Sequence, residues 1–446
     1  MKYFNRKLYI ASLLLAVVII SSCTKKFFYD GINDDPTQLK DPTPSLMLAP
    51  IILASGYEYG GDESRFPSIF MQQVTGDANQ SFSAGIYNIS PDDVDNMWSF
   101  GFYSGLMNND YDLIKISASL NQHYYHAVGQ ILMANFLQRA TDLWGDIPYT
   151  EAFKGNESKN AAFDSQESIY QQIFTLLNSS IAEIDGGDDG ASVPGSDDYI
   201  YSGDMAEWQK LAHALKARCF IHLVKVNAAY YDSAINEIPK AFTSNADNAI
   251  VPFSGSSVNS SNPTFQFDDQ RGDITYDGYL QTLLKNAGDP RFGVYYNPAK
   301  PKLLGNFYGA ANSPVPLMTY YELKFIEAEA QFQKGNKDAA AAAYNAAVEA
   351  NLNYTVGNSG YASKVAKTAS NITLSDIMIQ KYISLFLRPE SWTDWRRTGL
   401  PNLTAASGNV TGGVIPRALV YPSGEIKYNS KTPTGRTLTS KLWWDK

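Results

Sequence analysis

Cysteine is scarce in this chain, since Cys23 and Cys219 are the only two among 446 residues. Cys23 ends a leader-like segment, so the one remaining cysteine has no partner for an internal disulfide. Cys219 lies in a strongly helical stretch at 211–221, where a free cysteine behaves as a small buried hydrophobe. We therefore expect stability to come from the size of the core.

The sequence also lacks the short motifs of common enzyme classes. It contains no HExxH, no GxSxG and no Walker sequence. His123 and His126 lie three apart on a predicted helix, but zinc sites normally take three or four protein ligands. The acidic pairs at 92–93 and 268–269 are better explained by helix capping and solvation than by glycoside hydrolysis. The sequence thus predicts no enzyme, no metal and no cofactor.

Clustered positive charge is missing as well. The formal net charge is −9, and removal of the three basic residues within 1–22 takes it to −12. Proteins that bind phosphate backbones need grouped Lys and Arg. Nucleic acid is therefore not an expected partner.

Long apolar runs are absent apart from one at the N-terminus. Three basic residues precede an apolar run at 8–20, and Ile-Ser-Ser-Cys follows at 20–23. This pattern predicts a signal peptide at 1–22 and a lipid on the Cys23 thiol. Residues 23–50, rich in Asp, Pro and Thr, are then predicted to form a tether. We expect the protein to contact the membrane through the lipid anchor only.

Helical patterns and aromatic residues are abundant. Aromatic residues make up 13% of the chain, with 29 Tyr. Apolar residues recur at helical spacing in many segments: 92–119, 122–144, 165–184, 204–229, 231–242, 276–286, 318–334, 337–351 and 374–386. These patterns predict a mainly α fold with little β structure.

Three further features refine this prediction. Small and aromatic residues from Ala328 to Ala347 are spaced as in a tetratricopeptide unit, in which two helices approach closely. Residues 57–91 and 251–275 lack a sustained period. Loops of that length are usually functional.

Several motifs follow one another in a characteristic order. They are Trp and Tyr at helical spacing in 98–114, Trp-Gly-Asp-Ile-Pro-Tyr at 144–149, Ala-Leu-Lys-Ala-Arg at 214–218, Asp-Pro-Arg-Phe at 289–292, a helix at 322–330, Glu-Ser-Trp-Thr-Asp-Trp-Arg-Arg-Thr-Gly-Leu-Pro at 390–401, Ile-Pro-Arg at 415–417 and Tyr-Pro-Ser at 421–423. Together they resemble the SusD/RagB family of nutrient-binding outer-membrane lipoproteins. Residues 396–397 are expected to bond helix-end carbonyls or to pair locally.

The resemblance implies a single α-helical domain at 51–446, with tetratricopeptide-like helix pairs and an irregular, loop-rich lobe. It implies an outer-membrane protein that faces the cell exterior, binds an oligosaccharide or peptide, and delivers it to a TonB-dependent SusC-like barrel. Thr-Lys-Lys at 24–26 departs from the acidic residues that often follow the lipidated cysteine in such exported lipoproteins. Outward exposure is therefore an expectation from the family alone.

By the same resemblance, ligand contacts come from loops near the first long helix and from the middle of the chain. The candidate residues are Tyr87, Trp98, Phe100, Tyr103, Asn262, Phe265 and Arg271. Trp98, Phe100 and Tyr103 are equally well explained as core residues of an amphipathic helix. Two other functions stay open: a tetratricopeptide scaffold for an envelope complex, and a lipid-anchored polysaccharide hydrolase.

Overall fold

The computed structural model of the protein describes residues 42–155, 160–188, 192–300 and 302–446. The predicted signal peptide at 1–22, the lipidation site Cys23 and most of the tether lie outside the described residues. Pro44–Lys446 forms one compact unit.

Helices dominate the described residues, as the periodic apolar patterns predict. The α-helices are α1 (Pro44–Gly60), α2 (Asp62–Phe70), α3 (Asn79–Gly85), α4 (Asn108–Ser119), α5 (His123–Trp144), α6 (Gln166–Gly186), α7 (Met205–His222), α8 (Tyr230–Glu237), α9 (Pro263–Arg271), α10 (Tyr279–Ala287), α11 (Phe292–Tyr295), α12 (Asn306–Gly309), α13 (Tyr320–Gln333), α14 (Lys337–Val356), α15 (Ala362–Val365), α16 (Leu374–Ser384), α17 (Glu390–Thr398) and α18 (Ser423–Tyr428). A π-helix, Met97–Met107, leads directly into α4. Within the described ranges, none of these helices is long and apolar enough to cross a bilayer.

The predicted tetratricopeptide-like pair consists of α13 and α14, which pack against each other along their lengths. Gly335 makes the turn between them with a φ of +82°, a conformation that favours glycine. Ala340, Ala347 and Tyr344 are buried at the contact, where small residues let the helices approach. Helices α5 and α6 form a second closely packed pair, and the mainly α fold class is confirmed.

Two small antiparallel sheets join segments that are distant in sequence. Strand β1 (Thr75–Gly76) pairs with β3 (Ile274–Thr275), with Thr75 opposite Thr275. Strand β2 (Ala249–Val251) pairs with β4 (Val315–Met318). The first sheet ties the two segments predicted as functional loops to each other.

Those two segments contain more helix than the sequence predicts. Helices α2 and α3 lie within 57–91, and α9 lies within 251–275, so the prediction of irregular structure there is wrong. Helix α9 forms because its ends are well capped: the Asn262 side chain accepts hydrogen bonds from two first-turn N–H groups, Pro263 follows, and Gly272 ends the helix in the left-handed region. Capping at both ends therefore stabilises α9, although its sequence has no amphipathic pattern.

Several charged residues inside the core form ion pairs or hydrogen bonds with one another or with the main chain. The Nε of Arg218 lies 2.7 Å from a carboxylate oxygen of Glu322 and thereby links α7 to α13. Arg396 donates to the main-chain oxygen of Asp142 near the end of α5 at 2.6 Å, and Arg397 binds Glu329 at 2.7 Å. The arginines of α17 therefore bond both a helix-end carbonyl and a carboxylate. Cys219 is buried as a packing residue, as predicted.

Candidate functional site

A cleft opens where α1 ends and α2, the π-helix and α9 meet. It has a volume of about 680 Å³, within the range that small-molecule sites usually occupy. Its walls carry both rings and polar groups, among them Tyr57, Glu58, Arg65, Gln80, Phe100, Phe267, Gln270 and Arg271. We refer to this space as the main cleft.

Helix α9 supplies one wall of the main cleft. Phe267 and Arg271 lie four residues apart on this helix, so their side chains share a face. The strand β3 that follows α9 pairs with β1, which in turn follows α2. This pairing fixes α9 beside α2, although about 200 residues separate them in sequence.

Two guanidinium groups contact the ring of Phe267. The Arg65 guanidinium carbon lies 4.2 Å from the ring centroid, and that of Arg271 lies 5.9 Å from it. Arg65 is held in place because it also bonds Asp62 at 2.8 Å and Gln80 at 3.2 Å. The Arg271 side chain pairs with Asp273 and remains 53% exposed. The wall therefore presents a fixed cation, a ring and a solvent-accessible hydrogen-bond donor.

Glu58 is a partly buried carboxyl group on the same cleft. Burial, together with repulsion from Asp62 and Glu63, raises the pKa of Glu58 to about 8 despite the nearby Arg139. Its carboxyl group packs against Gly101 of the π-helix, where an added Cβ would lie 2.5 Å from an Oε atom. At neutral pH this group is mostly protonated and can donate a hydrogen bond.

Phe100 extends from the π-helix into the main cleft with 71% of its surface exposed. Tyr57 at the end of α1 is 44% exposed on the same cleft. Exposed rings can cover the apolar faces of a ligand, while Gln80, Gln270 and Arg271 can bond its hydroxyl or carbonyl oxygens. This chemistry suits a neutral polar ligand with apolar faces.

Of the seven residues proposed from sequence, Phe100 and Arg271 line the main cleft. Trp98 is 2% exposed, and its ring contacts Trp144 edge-on at 5.0 Å. Tyr87 is 1% exposed, and its hydroxyl oxygen accepts a hydrogen bond from the main chain of Ala406. These two rings are therefore packed in the core rather than presented to the cleft.

The other three residues also lie outside the lining. Tyr103 donates its hydroxyl to the main-chain oxygen of Pro148 at 2.8 Å. Asn262 is buried and caps α9, so it positions Phe267 and Arg271 without reaching the cleft. Phe265 is half-buried on the same helix.

Several cleft residues were not selected from sequence, notably Glu58, Arg65 and Phe267. Each lies in one of the two segments at 57–91 and 251–275, which the absence of helical period had already singled out. The pattern gave no sign of which side chains point into the cleft, because the helices there are short.

The predicted histidine pair lies away from the main cleft. His126 Nδ1 bonds the carboxylate of Glu183 at 2.8 Å. Throughout the described part of the chain, no group of three or more His, Cys, Asp and Glu side chains is arranged to hold a metal ion.

Comparison with known families and structures gives a consistent result. The model of the SusD-like family, which is described as starch-binding and associating with the outer membrane, matches residues 36–311 and 302–422. Comparison with curated proteins gives no significant match.

Many solved structures share the fold. A SusD/RagB family protein from Bacteroides thetaiotaomicron is 21% identical with a TM-score of 0.73, and the alignment covers 91% of this chain and 99% of that one. A chitin-binding SusD homologue from Flavobacterium johnsoniae is 22% identical with a TM-score of 0.75, covering 90% and 98%. A SusD homologue from Bacteroides uniformis is 23% identical with a TM-score of 0.73, covering 91% and 100%. At these sequence identities, the structural similarity establishes the fold of this chain.

Proposed function

The chain belongs to the SusD-like family, and from this premise we propose that it is a surface lipoprotein that binds an oligosaccharide in the main cleft. The bound sugar would then pass to a TonB-dependent SusC-like barrel in the outer membrane. The family is described as starch-binding, and one structural neighbour is a chitin-binding homologue, which makes glucose-based and N-acetylglucosamine-based chains the first candidates.

This proposal is supported mainly by the main cleft, which combines exposed aromatic rings with hydrogen-bonding side chains. Phe100 and Tyr57 expose rings that can stack on the apolar faces of sugars. Arg271, Gln80 and Gln270 can bond the ring hydroxyls. A peptide ligand would instead rely on main-chain hydrogen bonds and side-chain pockets.

Calorimetric titration with maltoheptaose and with chitohexaose tests the binding proposal. We expect one of these two oligosaccharides to bind. Phe100→Ala should weaken its binding about three- to tenfold, because one exposed stacking ring is lost. Phe82→Ala is the matched control, since Phe82 is 50% exposed but lies outside the cleft lining. Equal losses in both variants, or binding of unrelated peptides in preference to sugars, would contradict the proposal.

The membrane part of the proposal is supported by the sequence at 1–23 and by the family description. Co-purification from detergent-solubilised outer membranes tests it. We expect the tagged protein to carry a lipid on Cys23 and to bring down a TonB-dependent barrel in about equal amount. A Cys23→Ala variant that still fractionates with the outer membrane and its barrel would count against the anchor.

A lipid-anchored hydrolase is the second candidate, because Glu58 and Asp62 are two carboxyl groups on one cleft and the pKa of Glu58 is raised. The binding proposal expects no new reducing ends when the protein is incubated with the oligosaccharide that it binds. Steady release of reducing ends, abolished by Glu58→Gln, would favour the hydrolase instead.

A further inference from the structure

A second groove adjoins the main cleft and shares one residue with it. It has a volume of about 560 Å³ and lies beside α1 and the segment that follows β2. Its lining includes Leu53, Tyr57, Tyr199, Pro252, Phe253 and Asn259. Tyr57 belongs to both linings, so the two spaces are neighbours on the surface.

The second groove is apolar and aromatic, and its lining has no charged side chain among the described residues. Leu53, Tyr57 and Tyr199 are 37%, 44% and 45% exposed, so these side chains are open to a ligand. Ser254, Asn259 and Ser260 add neutral hydroxyl and amide groups. This lining matches a neutral sugar, with rings for its apolar faces and small polar groups for its hydroxyls.

The backbone that carries Tyr199 is held firmly. The buried carboxylate of Asp198 accepts hydrogen bonds from the main-chain N–H groups of Ile200, Tyr201 and Gly203 at 3.0, 3.1 and 2.9 Å. It also accepts the indole N–H of Trp208 at 2.7 Å. The main chain on which Tyr199 stands is therefore preorganised, which reduces the ordering cost of binding.

The loop that carries Phe253 is fixed as well. Phe253 follows β2, whose last residue, Val251, pairs with Val315 of β4. The Gly255 N–H donates to the main-chain oxygen of Ser260 at 3.0 Å, and a Cβ on Gly255 would lie 2.9 Å from the main-chain nitrogen of Asn312. The groove is therefore bounded by ordered segments on two sides.

We infer that the second groove binds a continuation of the same oligosaccharide that occupies the main cleft, so that the ligand is a linear, neutral glycan long enough to pass Tyr57. The shared tyrosine argues for one continuous ligand, and the absence of charge in the lining argues for a neutral one. This inference rests on the proposed function, since it needs a sugar in the main cleft.

Calorimetric titration of the full-length protein with a length series tests the inference, from maltose to maltooctaose and from chitobiose to chitohexaose. In the series that binds, we expect affinity to keep rising for the longer chains. Tyr199→Ala should weaken the longest oligosaccharide about three- to tenfold and leave the shortest one unchanged. Tyr428→Ala is the matched control, since Tyr428 is 70% exposed outside both linings.

A second variant tests the same groove independently, in case Tyr199→Ala fails to fold. Leu53→Glu keeps a helix-forming residue on an exposed position of α1 but places a charge in the groove, and we expect the same loss for long chains only. If long chains bind in a Phe100-dependent manner but neither groove variant changes their affinity, the inference is overturned and the proposed function stands. If no oligosaccharide binds the wild-type protein, both fall.

Discussion

Replacement of Glu58 by glutamine should stabilise the protein in a strongly pH-dependent way. Among the described residues, no hydrogen bond to the Glu58 carboxyl group is seen, so the amide removes an ionisable group without breaking a hydrogen bond. Asp62 and Glu63 of α2 repel the ionised form, and Arg139 of α5 attracts it. Burial and repulsion prevail and raise the pKa to about 8.

The sign follows from proton linkage. Between its ordinary pKa of 4.5 and about 8, Glu58 binds more protons in the folded protein than in the unfolded chain, so the stability of the wild type falls as pH rises through this window. At about 1.4 kcal/mol per pKa unit, the full shift corresponds to an upper bound of about 5 kcal/mol. Solvent in the cleft screens part of this electrostatic effect. We therefore expect the unfolding free energy of Glu58→Gln to exceed that of the wild type by about 1–3 kcal/mol above pH 8.

Urea unfolding followed by tryptophan fluorescence measures this difference at several pH values. The two proteins should have similar unfolding free energies near pH 4.5, and the advantage of the variant should grow until about pH 8 and then level off. An advantage that is constant across pH, or a variant less stable than the wild type at pH 8, would show that folding does not raise the pKa of Glu58.

Two further predictions concern buried charges. Arg139→Met leaves the buried carboxylate of Glu63 without the guanidinium that bonds it at 2.9 Å, and should cost about 3–5 kcal/mol in urea unfolding; a loss below about 1 kcal/mol would contradict this. Burial alone would lower the pKa of His222, but the carboxylates of Glu390 and Asp142 outweigh burial and raise it to about 9. The stability that this charge contributes is complete below about pH 6.5 and lost as pH rises through 9, so the deficit of His222→Gln should shrink over that window; a deficit independent of pH would count against it.

The long helices were predictable because their apolar periodicity is sustained. Helices α5 and α14 each extend over twenty or more residues. A helical period sustained over that length is not easily mistaken for a strand or a loop. Helix α9 was missed because its nine residues carry mostly polar side chains. Its formation depends on Asn262, Pro263 and Gly272 at its ends, which are signals of a boundary rather than of a period.

The site was predictable by segment but not by residue. Trp98 and Phe100 are two positions apart, yet one is buried and the other 71% exposed. They lie in a π-helix, whose hydrogen bonds run from i to i+5, so the 3.6-residue period does not assign its faces. The contact between Arg65 and Phe267 joins residues about 200 positions apart, which the pairing of β1 with β3 and the packing of α9 on α1 bring together.

Binding of a sugar in the main cleft is best tested by a crystal structure of the protein with the oligosaccharide that binds most tightly in the titrations. We expect sugar rings stacked on Phe100 in the main cleft, with hydroxyl groups within hydrogen-bond distance of Arg271. A sugar bound elsewhere on the surface, with the main cleft free, would contradict it.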